Sequence, residues 1–340
     1  MKIMNWNLEW MNNWFSGNDT PRWGSNSLTA DEARICATKA AAVINAVAPD
    51  LICLQEGPSA MAEMDLFLTE FLGDGTTSHY DAIIGTDGGA QKLYVLRRKD
   101  GRIAAMDRAT DPLTEGLQDL WDADVNGDMM LEGYDFTRLP LVVDIDPIGS
   151  APIRMVVLHT KSKYVQFGKS KWNDPARQQE FIVQALEARR RISAEGFRLR
   201  TYLDALVADD PQARIVVTGD WNDGPGRDLF ERKYLTHNVA DIVLGSTFTP
   251  DLIFSHPLLA HVPPPSLFTA RFDDYVDEID DRPLLLDHFA VSPGLTPWVE
   301  HAEIAHDPFE DQITGTGSAR TDRPSDHRPI VMTLGAPLTG

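Results

Sequence analysis

A layered α/β fold with mixed sheets is predicted by three features of this 340-residue sequence: short Val/Ile/Leu-rich runs, longer stretches with helical apolar spacing, and Asp-Gly turns between neighbouring runs. The runs at 2–8, 51–55, 80–85, 91–98, 139–145, 153–160, 214–219, 284–292 and 328–334 predict strands. Helices are predicted over 29–48, 60–72 and 175–207. In the last of these, Phe181, Ala185, Ala188, Ile192, Leu199, Leu203 and Leu206 recur at spacings of three, four and seven, which makes one apolar face. Gly196 marks a kink or division in it. Thr86-Asp87-Gly88-Gly89 and Lys99-Asp100-Gly101 predict hairpins, so part of the sheet is antiparallel. The irregular stretches 10–28, 107–138, 245–283 and 300–325 are expected as loops over the sheet ends, where binding residues concentrate. With no repeat, Gly/Ser-rich linker or low-complexity segment, the simplest reading is one domain over 1–340, with loop insertions near 107–138 and 245–283.

Composition narrows the function classes. A chain this long, 43% hydrophobic, can bury an extensive core, which argues against disorder. Cys36 and Cys53 lie among apolar residues and read as small buried hydrophobes rather than disulfide partners or zinc ligands. No run approaches 18 apolar residues, so no membrane-spanning helix is expected. Met1-Lys2-Ile3-Met4 enters a strand pattern directly, which makes the cytoplasm the default location and a removed signal peptide the alternative. A net charge of -20 argues against a protein that coats nucleic acid. Eleven of the 31 Lys/Arg but only four of the 51 Asp/Glu fall between Arg154 and Arg200, a local +7 that leaves -27 for the remainder. Within it, Arg189 to Arg191 read as a solvated helix face.

Polar residues recur at the ends of the apolar strands, where a core excludes them unless they have partners. They are Asn7 and Glu9, Glu56, His159, Asp220 and Asn222, Asp287, and Asp326-His327. A site assembled from many strand ends is the consequence. Carboxylates, an Asn and two histidines, without a nucleophilic Ser or Cys in a recognisable setting, favour metal-assisted hydrolysis over covalent catalysis.

Ile3-Met4-Asn5-Trp6-Asn7-Leu8, Asp50-Leu51-Ile52-Cys53-Leu54-Gln55-Glu56, Gly219-Asp220-Trp221-Asn222-Asp223 and Ser325-Asp326-His327-Arg328-Pro329-Ile330 resemble the ordered motifs of the endonuclease/exonuclease/phosphatase superfamily, whose fold is that of deoxyribonuclease I. Val157-Leu158-His159-Thr160-Lys161-Ser162 and Asp287-His288-Phe289-Ala290-Val291-Ser292 are similar to its two remaining strand motifs. The six span residues 3 to 330. The resemblance implies a four-layer sandwich, two packed mixed sheets flanked by helices, with Mg²⁺ (or Mn²⁺) at the sheet ends. It implies Glu56 as the main metal ligand, assisted by Asn7 and by Asp326 or Glu9. Glu9 departs from the family pattern and is the weakest of these. Asp220 would orient or deprotonate the attacking water, Asn222, Asn7 and His159 would bond phosphate oxygens, and His327 would contact the phosphate, kept charged by Asp287. His159 stands where the family carries either Tyr or His, so it does not choose a substrate.

The basic segment follows His159, so Lys161, Lys163 and Arg177 are expected to bind the substrate phosphate, Lys161 first. Lys169 and Lys171 belong to the same run. Asp122, Asp124, Asn126 and Asp128 match the opening of a calcium loop, although its acidic residue, Glu132, falls one position short; a structural Ca²⁺ and an ordinary Asp/Asn/Gly turn are both open. The acidic run from Asp273 to Asp281 reads as a solvated loop, His288 as a packing residue, and Trp10, Trp14, Phe15 and Trp23 as base-stacking or packing aromatics. The expected activity is Mg²⁺-dependent phosphodiester hydrolysis of DNA or RNA. Hydrolysis of a small or lipid phosphoester is the rival, and a catalytically silent binding module is a third, weaker reading.

Overall fold

The structure, a computed structural model, describes the chain except for residues 18–19, 87–88, 225–228, 235–237 and 336–340. Its principal strands begin with β1 (Lys2–Asn7), β2 (Leu51–Gly57), β3 (Tyr80–Ile84), β4 (Lys92–Arg98), β5 (Ile103–Arg108) and β6 (Leu141–Pro147). They continue with β7 (Ile153–His159), β8 (Ile215–Asp220), β9 (Asp287–Val291), β10 (Val299–Ile304) and β11 (Ile330–Leu334). The principal helices are α1 (Ala30–Val47), α2 (Met61–Phe71), α3 (Gln178–Asp209) and α4 (Val239–Leu244).

Six strands form one sheet in the order β10-β11-β1-β2-β4-β3, and five form the other in the order β9-β8-β7-β6-β5. Each sheet holds one parallel pair, β1 with β2 and β7 with β8, and its remaining pairs are antiparallel. Alternation along the strands decides the layers. Ile3, Cys53, Val95, Met155, Val216 and Phe289 meet in a core between the sheets. Their neighbours Met4, Trp6, Ile52 and Leu54 pack on Ala37, Ala40 and Ile44 of α1 and on Phe67 and Leu68 of α2. On the far side Val156, Leu158 and Val217 meet Ile192, Leu199 and Leu203 of α3 and Val239 and Val243 of α4. Each fully buried side chain of this kind contributes about 1.5–3 kcal/mol. The result is the expected four-layer sandwich.

All nine predicted strands and three predicted helices are present, α1 opened by a capping box in which Thr29 and Glu32 exchange bonds. Cys36 and Cys53 are buried and free. Four expectations need correction. Lys99-Asp100-Gly101 is not a hairpin turn: β4 already has β2 and β3 on its two edges, so the chain crosses over and β5 joins β6 in the other sheet. The other hairpin signal does join antiparallel strands, β3 and β4, although its Asp87 and Gly88 lie outside the described residues. Gly196 neither kinks nor divides α3; it lets α4 approach, since a Cβ there would lie 3.0 Å from Val239. β5 and β10 were not foreseen, because both are edge strands whose outward residues are polar or small. The acidic run, finally, is a hairpin of Ala270–Asp274 with Ile279–Leu284, stabilised by Arg282 between Asp274 and Asp277 and by Arg271 at 2.7 Å from Asp281. Among the described residues no helix is long and apolar enough to cross a membrane.

Candidate active site

Parallel pairing sends β1 and β2 out of one sheet side by side, and β7 and β8 out of the other. Asn7 and Glu56 therefore lie at one pair of exits, and His159 and Asp220, direct register partners, at the other. The exits meet: Asn7 Nδ2 donates to Asp220 Oδ2 at 2.9 Å and to Glu56 Oε1 at 3.3 Å. β9 and β11 run antiparallel to their neighbours, so their beginnings reach the same place, with Asp287 opposite Asp220 in register. The segment before β11 is tied down by Ser325 Oγ donating to the Asn7 carbonyl (2.6 Å) and Trp6 Nε1 to the His327 carbonyl (2.7 Å).

Glu56 (φ 57°) and Asn222 (φ 50°) both have left-handed backbones, a conformation costing roughly 1–2 kcal/mol each. At Glu56 the β2–β4 register slips between Leu54 and Gly57, which re-aims the side chain. Gly57 is needed because a Cβ would fall 2.5 Å from the Tyr94 ring, and Gly219 because one would fall 2.0 Å from the Leu158 carbonyl. Hydrogen bonds hold both distortions. Glu56 Oε2 accepts from the Trp10 backbone (2.7 Å) and Gln91 (2.8 Å), while Asn222 donates its N–H to Asp220 Oδ1 (2.8 Å) and its side-chain amide to the Thr160 carbonyl (3.1 Å).

Burial sets the protonation states. Asp220, 2% exposed, is raised to about 7 by desolvation, with His327, the Asn222 N–H and Asn7 opposing and Asp287 adding to the rise. Desolvation also pulls His327 toward neutrality, but Asp287 and Asp220 outweigh it and hold the ring well above the usual imidazole range. Its Nδ1 donates to Asp287 Oδ2 at 2.7 Å, and its Nε2 lies 3.9 Å from Asp220. His159 is pushed the other way by burial, Arg138 and His327, so it is neutral, with Nε2 at 3.6 Å from Asp220 and 3.9 Å from Glu56. A charged imidazolium, a neutral imidazole and a carboxylate near neutrality thus share one small volume.

Asp220, Asp287 and His327 also bring ligand atoms within 4.8 Å of one another. While the His327 ring is charged its Nε2 carries a proton and the trio is an ion cluster; a metal here would need Nε2 deprotonated, with Nδ1–H still given to Asp287. A hard cation fits Glu56 better: its carboxyl is raised by burial and by like charge from Asp326, a repulsion that a divalent ion would remove. Asn7 presents its NH2 end to the carboxylates, because its Oδ1 accepts from the Glu9 N–H at 3.1 Å. Glu9 is engaged elsewhere, by Arg323 at 2.9 Å and Arg320 at 3.6 Å.

The basic segment is largely compensated where it stands. Lys163 is bonded to Asp223, Arg177 pairs with Glu180 at 3.3 Å, and buried Lys171 reaches Glu180 (2.9 Å) and Gln184 (2.7 Å). Lys161 Nζ reaches the Ser162 carbonyl at 3.3 Å. The 122–128 segment is the turn of a small hairpin, Trp121–Ala123 with Glu132–Tyr134, and Asp124 gives its carboxylate to the N–H groups of Gly127, Asp128 and Met129. Asn126 and Asp128 bond within the same turn, while Asp122 pairs with Gly133 in the strand before it.

No protein-family model and no curated protein sequence matches the chain. Solved structures do. The 3′-5′ exonuclease NExo of Neisseria meningitidis superposes with a TM-score of 0.53 at 13% identity, covering 98% of this chain and 100% of that one. A truncated TDP2 of Caenorhabditis elegans does so at 0.52 and 14% identity, covering 98% and 97%. The chain has the deoxyribonuclease I-like fold.

Within this deoxyribonuclease I-like sandwich two site residues escaped the sequence reading. Arg138 donates to the Thr160 carbonyl (3.2 Å) and to Gln91 (3.1 Å), and its charge acts on Glu56 and Asp220. Gln91 in turn donates to Glu56. Both precede strands, β6 and β4, that run antiparallel to the motif strands, so it is their beginnings that meet the site. Polar residues at the starts of antiparallel strands, the signal that already marks Asp287 and His327, also identify these two.

Proposed function

We propose that the chain is a divalent-metal-dependent phosphoester hydrolase acting on nucleic acid through a short footprint. The observation that carries this reading is Asp220: a buried carboxylate poised near pH 7, bonded to Asn7 and Asn222, beside a charged His327 and a neutral His159. A base with that pKa takes a proton from water at neutral pH, typically worth about 10² to 10⁴ in rate. The His327 imidazolium, held by Asp287, faces the same volume and donates to the charge that gathers on phosphate oxygens in the transition state. Asn7 offers its NH2 end there as a further donor. Mg²⁺ or Mn²⁺, held by Glu56 with Asp326 rather than by the NH2 end of Asn7, which has no lone pair to give, would act as a Lewis acid on the phosphoryl group.

Nucleic acid is favoured by exposed aromatics at the rim. Trp10, 55% exposed, is anchored to Glu56 by its backbone N–H, and Phe272, 39% exposed, lies 6.3 Å from the His327 ring. Trp14 and Phe15 pack in the core instead. The Neisseria protein is described as a 3′-5′ exonuclease and a 3′ phosphatase, and was captured with a product DNA hairpin. A second reading, a small or lipid phosphoester, is favoured by the -27 outside the basic segment and by the pairing of Lys163 and Arg177 with acids. Single-stranded DNA, duplex DNA, RNA, mononucleotides and inositol phosphates, each with Mg²⁺ and with EDTA, test both readings. Cleavage of oligonucleotides that falls steeply with salt supports the polymer, since bound phosphates release counterions. Salt-insensitive turnover of small esters alone supports the second reading, and no Mg²⁺-dependent turnover of any refutes both.

A further inference from the structure

Behind the site, two buried histidines form a hydrogen-bonded chain whose protons can be placed from geometry alone. His288 follows Asp287 on β9 and has no exposed surface; His256 caps the short helix Pro257–His261. His288 Nε2 lies 2.6 Å from the Asp223 carbonyl oxygen, which can only accept, so Nε2 carries the proton. The bare Nδ1 then accepts from His256 Nε2 at 2.9 Å. That leaves His256 Nδ1 bare, and the Leu259 N–H approaches it at 3.4 Å. Burial pushes both rings toward the neutral form this chain requires. The direction is therefore one-way, from the Leu259 N–H through His256 and His288 to the Asp223 carbonyl.

The chain ends on the turn that follows Asp220. Asn222, left-handed, is the middle of that turn, and His288 touches it on both sides, stacking on Trp221 at 4.5 Å and bonding Asp223. The turn is also tied by the Trp221 N–H to the Leu286 carbonyl (2.8 Å), by Thr160 Oγ1 to the Trp221 carbonyl (2.6 Å), by the Asn222 side-chain amide to the Thr160 carbonyl (3.1 Å), and by Lys163 and the Val239 N–H (3.0 Å) to the Asp223 carboxylate, but among these only the Asn222 amide bond acts on Asn222 itself. We propose that His288, held in one tautomer by His256, is a positioning residue that keeps Asn222 left-handed and so keeps its N–H on Asp220. This goes beyond hydrolysis itself but rests on the reading of Asp220 as the base.

The test uses the full chain and three variants, H288Q, H288N and H288L, each checked for folding by circular dichroism. A glutamine amide reaches as far as Nε2 and retains the donor to Asp223; an asparagine amide reaches only as far as Nδ1 and does not. On a short oligonucleotide with Mg²⁺, H288N and H288L are expected to lose roughly ten- to hundredfold in kcat with KM within about threefold, as for a sub-ångström misplacement. H288Q is expected within about threefold of the parent. Imidazole ¹⁵N spectra of the parent should show His288 and His256 neutral, protonated on Nε2 alone. Parental kcat in H288L, an equal fall in H288Q and H288N, or the other tautomer at His288 overturns the inference. If H288L does not fold, the Gln/Asn comparison decides. Should the parent cleave no phosphoester, the functional reading fails by itself, and hydrogen exchange of the Asn222 N–H, faster in H288N than in H288Q, still decides the positioning role.

Discussion

Asn7 Nδ2 and Asp220 Oδ2, 2.9 Å apart, join the two sheets at the point where their parallel strand pairs end. One amide thus couples the packing of the sandwich to the state of a buried carboxylate raised to about 7. Asn7→Ala is expected to lower kcat by roughly 10²-fold, the usual effect of deleting one donor to developing charge. It should also lower stability by about 1–3 kcal/mol, since Asp220 loses a buried partner. Steady-state kinetics and urea titration measure the two separately; an unchanged kcat would remove Asn7 from the site.

The pH profile should be bell-shaped. Activity rises as Asp220 loses its proton through about pH 7, and falls where His327, held well above the usual range, loses its own. A monotonic kcat/KM profile from pH 5 to 10 would contradict these assignments.

Stability should move against activity. Asp220 is raised above its unfolded value, so the folded chain binds the extra proton, and its contribution is present below about pH 4 and lost as pH rises to about 7. Asp220→Asn should therefore be inactive yet melt higher than the parent at pH 8, by on the order of 1–2 kcal/mol, with the difference shrinking toward pH 4. Thermal scans at the two pH values check the sign.

Mg²⁺ should stabilise the parent by about 2.7 kcal/mol at a hundred times its Kd, and EDTA should reverse this. Glu56→Gln removes the buried charge opposed by Asp326, so the variant should gain stability without metal and lose the response to Mg²⁺. An undiminished Mg²⁺ shift in the variant would place the ion elsewhere.

Trp10→Ala and Phe272→Ala should raise KM for single-stranded oligonucleotides by roughly 5- to 150-fold each, equivalent to about 1–3 kcal/mol per stacked base, and leave kcat near the parent. Equal KM values for parent and variants would argue for a substrate without bases.

Much of the fold could be read along the chain because periodicity is local. The Leu51–Gln55 and Ile153–Leu158 runs announce buried strands, and Phe181 to Leu206 one helical face, whatever lies across from them. Polar residues at strand exits, Asn7, Glu56, His159 and Asp220, were visible for the same reason. Edge strands β5 and β10 were not, because half of each faces outward.

Partnership, by contrast, is a through-space property. Lys163 and Arg177 follow His159 closely in sequence, yet the folded chain gives them to Asp223 and Glu180. Arg138 and Gln91 stand 22 and 35 residues from the groups they bond, Thr160 and Glu56 respectively, and reach them because β6 and β4 run antiparallel to the motif strands. Spacing showed that carboxylates and histidines would gather. Only tertiary packing, by excluding water and setting which charges face each other, made His327 a cation, His159 neutral and Asp220 a base near neutrality.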